Sequence, residues 1–270
     1  MKLKDTETCP LVIYVVTARH HHQRHEFLKQ QFRNYNLDYK FIEEFDADMI
    51  SKSDLENIEP NTLSNPTSIS AVLKHLKGQT LLLEEPAEVK YALIVEDDII
   101  LYRNFKNRLN AIIEEITKSH LQEFLIFIGG GDNKRDMSSF LQDFNAILEG
   151  PITTAEAYII DRQSAAKRTD WIRNNKINAP ADHFLKKLDE ILGIKHFIIA
   201  SPLATQGSIT GFFNSTLDEY RKRKNKKFLA AKYLVRRTFR LIIPRIVGSI
   251  VNYLTWKKLF RNSEARNKHR

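Results

Sequence analysis

Three consecutive acidic residues, Glu96, Asp97 and Asp98, directly follow the apolar run 91–95, and apolar residues resume at once. A short apolar run of this kind predicts a buried strand, so the three carboxylates come at the end of a core strand. Carboxylates beside a core need a hydrogen-bonded or positively charged partner. A divalent cation shared with a substrate diphosphate would provide one. The alternative is an acidic turn that pairs with Lys or Arg.

Alternating strands and helices are expected to position this acidic cluster. The apolar patterns predict strands over residues 11–17, 39–45, 91–95, 124–128, 155–160 and 195–200. They predict helices over residues 22–34, 70–83, 105–118, 162–174 and 181–192. This order is typical of an α/β fold with a mostly parallel central sheet. Ligands of such sheets bind at the carboxyl ends of the strands, where the cluster is predicted to lie.

Composition is that of a folded soluble protein, with 42% apolar and 28% charged residues among 270. Cys9 is the only cysteine, which excludes an internal disulfide and a cysteine-built zinc site. Asp5 and Glu7 interrupt the N-terminal segment, so it does not resemble a signal peptide. No uncharged apolar run approaches the roughly 18 residues of a spanning helix. We therefore expect a cytoplasmic protein.

Charge divides the chain into two parts. Residues 220–270 hold 17 of the 42 Lys and Arg residues and one of the 33 acidic residues, which gives a net charge of +16. The preceding 219 residues hold the other 25 basic and 32 acidic residues, a net charge of −7. Such asymmetry indicates a polyanionic partner, either nucleic acid or an anionic membrane surface.

The basic segment has helical spacing. The run 221–227 leads into residues 228–243, which are apolar and cationic, Pro244 breaks or kinks the helix, and residues 246–260 continue it. Basic amphipathic helices with aromatic residues lie in anionic membrane interfaces. A solvated helix packed on its own domain is the alternative. Nucleic acid is less favoured, because no nucleic-acid-binding motif accompanies the charge.

The order of motifs resembles glycosyltransferase family 25, the bacterial lipopolysaccharide and lipooligosaccharide glycosyltransferases. The matching segments are Val12–Arg19 with Arg24, Gln30–Phe32, Leu73–His75, Leu93–Asp98, Thr154–Tyr158, Pro180–Leu185 and Pro202–Gln206. The resemblance covers roughly residues 11–207. One departure is that Thr67–Ala71 replaces a Gly-Glu-Ile-Gly-Cys stretch of the family. If the family's glutamate contacts a sugar, that contact is missing here or comes from elsewhere.

The resemblance implies a GT-A-like nucleotide-binding domain over residues 1–217. The charge and helical spacing of residues 218–270 predict a membrane-associating tail. It implies transfer of a hexose, with galactose favoured, from a UDP-sugar to a lipid-linked lipopolysaccharide core acceptor. We expect inversion at the sugar carbon. We also expect peripheral attachment to the anionic inner membrane surface through residues 220–260.

Transfer from a nucleotide sugar requires a cation at the leaving diphosphate and a base at the acceptor hydroxyl. We expect Asp98, with Asp97 or Glu96, to hold Mn²⁺ or Mg²⁺, and His183 is a candidate third ligand. Asp182 is the leading candidate for the base, so Asp98 and Asp182 are the expected catalytic residues. The predicted donor-binding residues are Thr17, Arg19, Arg24, His75, Glu96, Asp97 and Gln206.

Each assignment has a structural alternative. Asp182 follows a proline at a predicted helix start, so its carboxylate could cap the helix, and His183 could be polar surface. The guanidinium groups of Arg19 and Arg24 match phosphate oxygens, or they lie on a solvated face. His75 lies on a helix predicted to pack on the sheet and could be a core histidine.

Two other functions would use the same features. A metal-dependent phosphotransferase or nuclease could employ the acidic cluster, although a two-metal site needs further carboxylates converging on Asp98. A non-catalytic saccharide or membrane adaptor would use the cluster structurally. Release of UDP from a UDP-sugar, and its dependence on Asp98, separates the glycosyltransferase from both.

Overall fold

The structure is a computed structural model that describes residues 10–60, 65–130, 145–151, 154–214, 225–243, 246–250 and 253. The strands are β1 Leu11–Val16, β2 Lys40–Ile42, β3 Tyr91–Glu96, β4 Ile99–Leu101, β5 Phe124–Phe127, β6 Ile147–Glu149, β7 Ala157–Asp161, β8 Lys195–Ile199 and β9 Ala204–Gln206. The helices are α1 His22–Tyr35, α2 Pro66–Glu84, α3 Phe105–Lys118, α4 Arg162–Asn174, α5 Ala181–Leu192, α6 Gly207–Thr210 and α7 Lys226–Arg237, and a π-helical turn over Thr238–Ile242 follows.

The central sheet has seven strands in the order β2-β1-β3-β7-β5-β8-β6. Five strands point in one direction, whereas β7 and β6 run antiparallel to their neighbours. The predicted α/β class and mostly parallel sheet are confirmed. The predicted β-α-β opening is also confirmed, because β1 and β2 pair in parallel with Val16 opposite Ile42. Strands β4, β6 and β9 were not predicted.

Helices cover both faces of the sheet. Leu93 and Val95 of β3 pack with apolar side chains of α1 and α3, whereas Ala92 and Ile94 pack on the side of α2 and α4. Burial on both faces explains why the strand is an unbroken apolar run. Each fully buried large apolar side chain contributes roughly 1.5–3 kcal/mol, so this layer fixes the position of the residues that follow β3.

Chain ends of three neighbouring strands meet at one edge of the sheet. Strand β1 ends at Val16 and β3 ends at Glu96, and β7 begins at this edge because it runs in the opposite direction. The backbone N–H of Glu96 donates to the carbonyl oxygen of Glu156, the residue before β7 (2.9 Å). Acidic residues from two strands are therefore adjacent at the carboxyl edge.

Helix α2 lies close to the sheet because of a glycine. A Cβ atom on Gly78 would stand 3.0 Å from the Ile42 side chain and 3.1 Å from that of Ile94. A larger residue would push the helix outward, so the close packing brings the first turns of α2 to the same carboxyl edge.

The predicted basic tail is described in part. Helix α7 and the turn after it confirm helical structure over residues 226–242, whereas residues 221–224 and 254–260 lie outside the described residues. Among the described residues, no helix has the length and apolarity required to cross a bilayer. The division into a domain of residues 1–217 and a tail of residues 218–270 stays a prediction.

A buried ion pair joins α4 to α5 beneath the site edge. The Arg168 guanidinium donates from Nε to Asp189 Oδ1 (2.7 Å) and from Nη2 to Asp189 Oδ2, and both side chains are almost completely buried. His196 Nε2 lies 2.6 Å from the same Oδ2 atom. Loss of the carboxylate would leave a buried guanidinium without its charge partner.

We expect Asp189→Ala to lower the free energy of unfolding by about 3–5 kcal/mol, because it leaves the Arg168 charge buried and uncompensated. Urea denaturation followed by circular dichroism measures the change. Asp170→Ala is the matched control on α4, since Asp170 pairs with Arg173 on the exposed surface (2.8 Å). That change should cost less than about 1 kcal/mol. Equal losses in the two variants would contradict the assignment of Asp189 as a core ion.

Candidate functional site

A cleft of about 280 Å³ opens at the carboxyl edge of the sheet. Its walls come from the ends of β1 and β3, the starts of α1, α2 and α5, the residues before β7, and the start of α6. The lining residues are Val16, Thr17, Ala18, His21, Arg24, Thr67, Ser68, Ser70, Ala71, Lys74, Glu96, Asp97, Asp98, Thr154, Ala155, Glu156, Pro180, Ala181, Asp182, Gln206 and Ser208.

Asp97 is held by a dense set of donors. Arg24 Nη1 donates to its Oδ1 (2.6 Å), whereas Thr17 Oγ1 donates to Oδ2 (2.7 Å) and His21 Nδ1 lies 2.6 Å from Oδ2. Because the Thr17 hydroxyl proton is directed to Asp97, the nearby His25 Nε2 (2.6 Å) acts as the donor to Thr17. Both oxygens of Asp97 are therefore already engaged by protein groups.

This network stabilises Asp97 as a carboxylate. Burial alone would raise its pKa, but the hydrogen bond from His21 and the charge of Arg24 act in the opposite direction and lower the pKa to about 2. Burial lowers the pKa of His25, which favours the neutral ring, and a neutral ring protonated at Nε2 can donate to Thr17. Asp97 thus organises the start of α1, and we leave it out of the proposed cation ligands.

Arg24 also fixes a segment from the far end of the domain. Its Nη2 donates to the backbone carbonyl of Asn214 (2.5 Å), and its guanidinium lies 5.5 Å from the centroid of the Phe213 ring. The guanidinium therefore bridges the acidic turn after β3 and the residues after α6.

Asp98 has the opposite environment, although it is adjacent in sequence. Its Oδ2 accepts the backbone N–H of Ser208 (3.0 Å), and its carbonyl oxygen accepts that of Gly207 (2.7 Å). Its Oδ1 is buried and has no hydrogen-bond partner. Burial, and then the charge of Glu96, raise the pKa of Asp98 to about 7. A buried carboxylate oxygen that lacks a hydrogen-bond donor and lies beside a second carboxylate would be stabilised by a bound cation.

Glu96 is oriented by two side chains from other elements. Gln206 Nε2 donates to its Oε2 (2.6 Å), and His75 Nε2 lies 3.9 Å from its Oε1. The buried His75 ring stacks on Tyr158 with 5.7 Å between centroids, and its Nδ1 is 3.2 Å from the Tyr158 hydroxyl. His75 is not among the residues that line the cleft, and its Nε2 atom makes no hydrogen bond to Glu96.

The carboxylate oxygens of the cleft fit a cation that is shared with a phosphate ligand better than a metal site built by protein side chains alone. Among the described residues, no group of three or more His, Cys, Asp or Glu side chains is arranged to hold a metal ion. Asp98 Oδ1 without a partner, next to Glu96, nevertheless fits a cation that takes its remaining ligands from phosphate and water, as Mg²⁺ does in phosphate-binding sites. In the described part of the chain, the carboxylates are not arranged as the ligand cluster that a two-metal phosphotransferase needs.

Asp182 lies in the first turn of α5 and lines the cleft wall. The N-cap position belongs to Pro180, and the Asp182 Oδ1 atom accepts the backbone N–H of His183 (2.9 Å). Asp182 is therefore not the N-cap residue that the alternative prediction placed there. The His183 side chain is exposed and does not line the cleft, so the structure does not bring it to the acidic cluster.

Other predicted residues divide into those inside and those outside the cleft. Thr17, Arg24 and Gln206 line it, but all three are bonded to the acidic residues. Arg19 is exposed outside the cleft, where its Nη1 lies 3.1 Å from Met49 Sδ. Its predicted role in donor binding therefore has no geometric support.

Sequence reasoning missed two charged residues in the cleft wall. Lys74 is buried and donates to Asp46 Oδ1 and to the carbonyl oxygen of Thr17, which ties α2 to the end of β1. Glu156 is buried at the start of β7. A signal for Glu156 was present, since it is an acidic residue directly beside an apolar strand, as Glu96 is. Lys74 lies within a segment that matches the family, but nothing in the surrounding sequence indicated that its side chain would be buried in the cleft wall.

Comparison with known protein families identifies the family to which this chain belongs. The model of glycosyltransferase family 25, described as a lipopolysaccharide biosynthesis protein family, matches residues 11–185. No curated protein matches the chain significantly. The matched region contains β1 to β3, the acidic cluster, and the start of α5 with Asp182. The chain therefore belongs to glycosyltransferase family 25.

Proposed function

We propose that this protein transfers a hexose, with galactose favoured by the family resemblance, from a UDP-sugar to a saccharide of the lipopolysaccharide core, with inversion at the sugar carbon. Membership of family 25 supports a glycosyltransferase in lipopolysaccharide biosynthesis. The observation that carries the finer proposal is the buried Asp98 oxygen without a partner, next to Glu96, in a cleft at the carboxyl edge of the sheet.

The donor half of the proposed site is the end of β3. Asp98 and Glu96 would hold Mn²⁺ or Mg²⁺, and a cation bound there would neutralise negative charge on the leaving diphosphate. The Ser208 amide fixes one oxygen of Asp98, and Gln206 fixes one oxygen of Glu96. These bonds leave Asp98 Oδ1 without a hydrogen-bond partner, so it would be available to the cation. A preorganised pair of this kind avoids reorganisation when the donor binds.

The acceptor half would be the wall formed by the first turns of α2 and α5. Hydroxyl side chains of Thr67 and Ser68 line the cleft there, together with the Asp182 carboxylate. Hydroxyl groups can donate to and accept from sugar hydroxyls. We assign Asp182 as the base that accepts the proton of the attacking acceptor hydroxyl, since a carboxylate within hydrogen-bond reach can do this.

Thr67–Ala71 is the stretch that departs from the family pattern, and four of its five residues line this wall. Ser68 stands at the position of the family's glutamate. Loss of a carboxylate there removes one negative charge from the acceptor side of the cleft. We therefore expect this protein to accept a saccharide that differs in charge or in hydroxyl pattern from one bound through the glutamate.

A lipid-linked acceptor would lie at a membrane surface. The described part of the tail, including Lys226, Lys227 and Lys232, is basic. We propose that residues 220–260 attach the protein peripherally to the anionic cytoplasmic face of the inner membrane, close to such an acceptor.

We expect Asp98→Asn to weaken Mn²⁺-dependent binding of UDP by at least about 100-fold, because removing a direct ligand should exceed the 10- to 100-fold losses known for groups that only support a ligand. Titration calorimetry with UDP, with and without Mn²⁺, measures the change. Asp170→Asn, on the exposed face of α4, is the control and should bind as wild type does. Tight Mn²⁺-dependent binding of UDP by the Asp98→Asn protein would refute the proposed donor site.

Asp182→Asn should reduce transfer to an acceptor by about 10²- to 10⁴-fold, because the amide cannot accept the acceptor proton. UDP affinity should stay within about twofold of wild type, because Asp182 lies outside the proposed ligand set. Glu190→Gln, an exposed position on the same helix, is the matched control. Transfer is measured as UDP release in the presence of core saccharide. A variant that retains transfer would exclude Asp182 as the base.

A further inference from the structure

Helix α7 is docked on the domain by one of its faces. Leu229, Tyr233 and Arg237 follow one another at four-residue spacing, which places them on the same side of a helix. Leu229 is buried, and the Tyr233 hydroxyl lies 2.7 Å from the Tyr102 hydroxyl. The Arg237 guanidinium lies 4.9 Å from the centroid of the Tyr102 ring. This docked face therefore contacts the residue that follows β4.

The opposite face of α7 and of the turn after it is apolar and exposed. Phe228, Val235 and Phe239 are separated by seven and four residues, and their side chains are 50%, 56% and 67% exposed. Ile242, Ile246 and Ile250, farther along the chain, are also exposed. Several large apolar side chains exposed on one helical segment indicate a binding partner, unlike single apolar residues.

Charge identifies the kind of partner. The sequence has no Asp or Glu between Tyr220 and Ser263. Basic residues such as Lys227 and Arg236 accompany the exposed apolar face. An apolar helix face flanked by cations matches an anionic bilayer, in which the apolar side enters the acyl boundary and the cations meet the headgroups.

The first turn of α7 contacts residues 207–214, the segment whose first two amides bond Asp98. A Cβ atom on Gly211 would lie 2.4 Å from the carbonyl oxygen of Lys226, so α7 begins in direct contact with the end of α6. Gly211 also has a φ angle of +74°, which glycine adopts without strain. The amides of Gly207 and Ser208, at the start of α6, are those that bond Asp98. A helix of four residues has little stability of its own and depends on such packing.

The same segment reaches the second acidic residue. Asn214 accepts from Arg24, which is bonded to Asp97. Phe27 of α1 packs against Phe212, with 4.9 Å between ring centroids. Residues 207–214 therefore connect α7 to both carboxylates of the turn after β3.

We propose that an anionic bilayer surface is the partner of the exposed face of α7, and that bilayer binding stabilises residues 207–214 and thereby the position of Asp98. The expected effect of bilayer binding on UDP-sugar binding rests on the proposed function. Two binding events that stabilise one segment reinforce each other, and the coupling is reciprocal. Anionic vesicles should raise the affinity for UDP with Mn²⁺ about fivefold, and UDP with Mn²⁺ should raise the affinity for vesicles by the same factor.

Hydrogen–deuterium exchange of the full chain tests, in the absence of UDP or a UDP-sugar, whether bilayer binding stabilises residues 207–214. The amides of Gly207, Ser208, Phe212 and Phe213 are all hydrogen-bonded and report on the segment. Vesicles of phosphatidylglycerol and phosphatidylcholine in equal parts should slow their exchange at least about threefold, whereas phosphatidylcholine alone should not, because it carries no net charge. Unchanged exchange of this segment in protein that floats with the anionic vesicles would overturn the proposal.

Two variants separate the two faces of α7. Val235→Ser combined with Phe239→Ser should abolish flotation and the slower exchange, and should leave UDP affinity without vesicles unchanged. Tyr233→Ala should retain flotation but lose the slower exchange, because the docked face is weakened. Ile191→Ser, an equally exposed apolar residue on α5, is the control and should change neither.

The outcomes distinguish this inference from the proposed function. Slower exchange with vesicles, in a protein that never binds UDP, would support the membrane contact and reject the donor site. UDP binding that vesicles do not change, together with unchanged exchange, would support the donor site and reject the coupling. Protection by duplex RNA but not by anionic vesicles would assign the basic face to nucleic acid and also reject the proposal.

Discussion

Two adjacent carboxylates with opposite surroundings are the constraint on which the site depends. Asp97 is surrounded by Thr17, His21 and Arg24, and its pKa falls to about 2. Asp98 is buried beside Glu96 with one oxygen lacking a partner, and its pKa rises to about 7. Asp97 has a structural role, because its hydrogen bonds order the start of α1. Asp98 keeps one oxygen without a hydrogen-bond partner. A single acidic run therefore supplies both a structural anchor and a candidate binding group.

Positions of the regular elements could be predicted from sequence because apolar periodicity reports burial. The predicted helices 105–118 and 181–192 have the bounds of α3 and α5, and the predicted strand 91–95 differs from β3 by one residue. The three-residue strands β4, β6 and β9 are too short to show a period. The direction of β7 was not predictable either, since a buried strand has the same apolar pattern whether its neighbours run parallel or antiparallel to it.

The sequence predicted at which edge of the sheet the site lies, but not which side chains pair with each other there. The position of the acidic triplet after a strand indicated where the cleft would be. The sequence did not show which carboxylate would pair with the basic side chains, because Arg24 and His21 reach Asp97 only through the packing of α1. His75 was weighed as a core residue or as a functional one; it is buried outside the cleft lining, and its donor-binding role stays a prediction.

The reversed strand β7 has a consequence for how the family can diversify. In a wholly parallel sheet, only segments that follow strands reach the carboxyl edge. Here the residues that precede β7 also arrive there and place Glu156 in the cleft wall. Evolution can thus alter that approach segment, which lies outside the turn after β3, while the turn itself stays constant. New saccharide specificities can arise in this way without rebuilding the half of the cleft where we propose that the nucleotide binds.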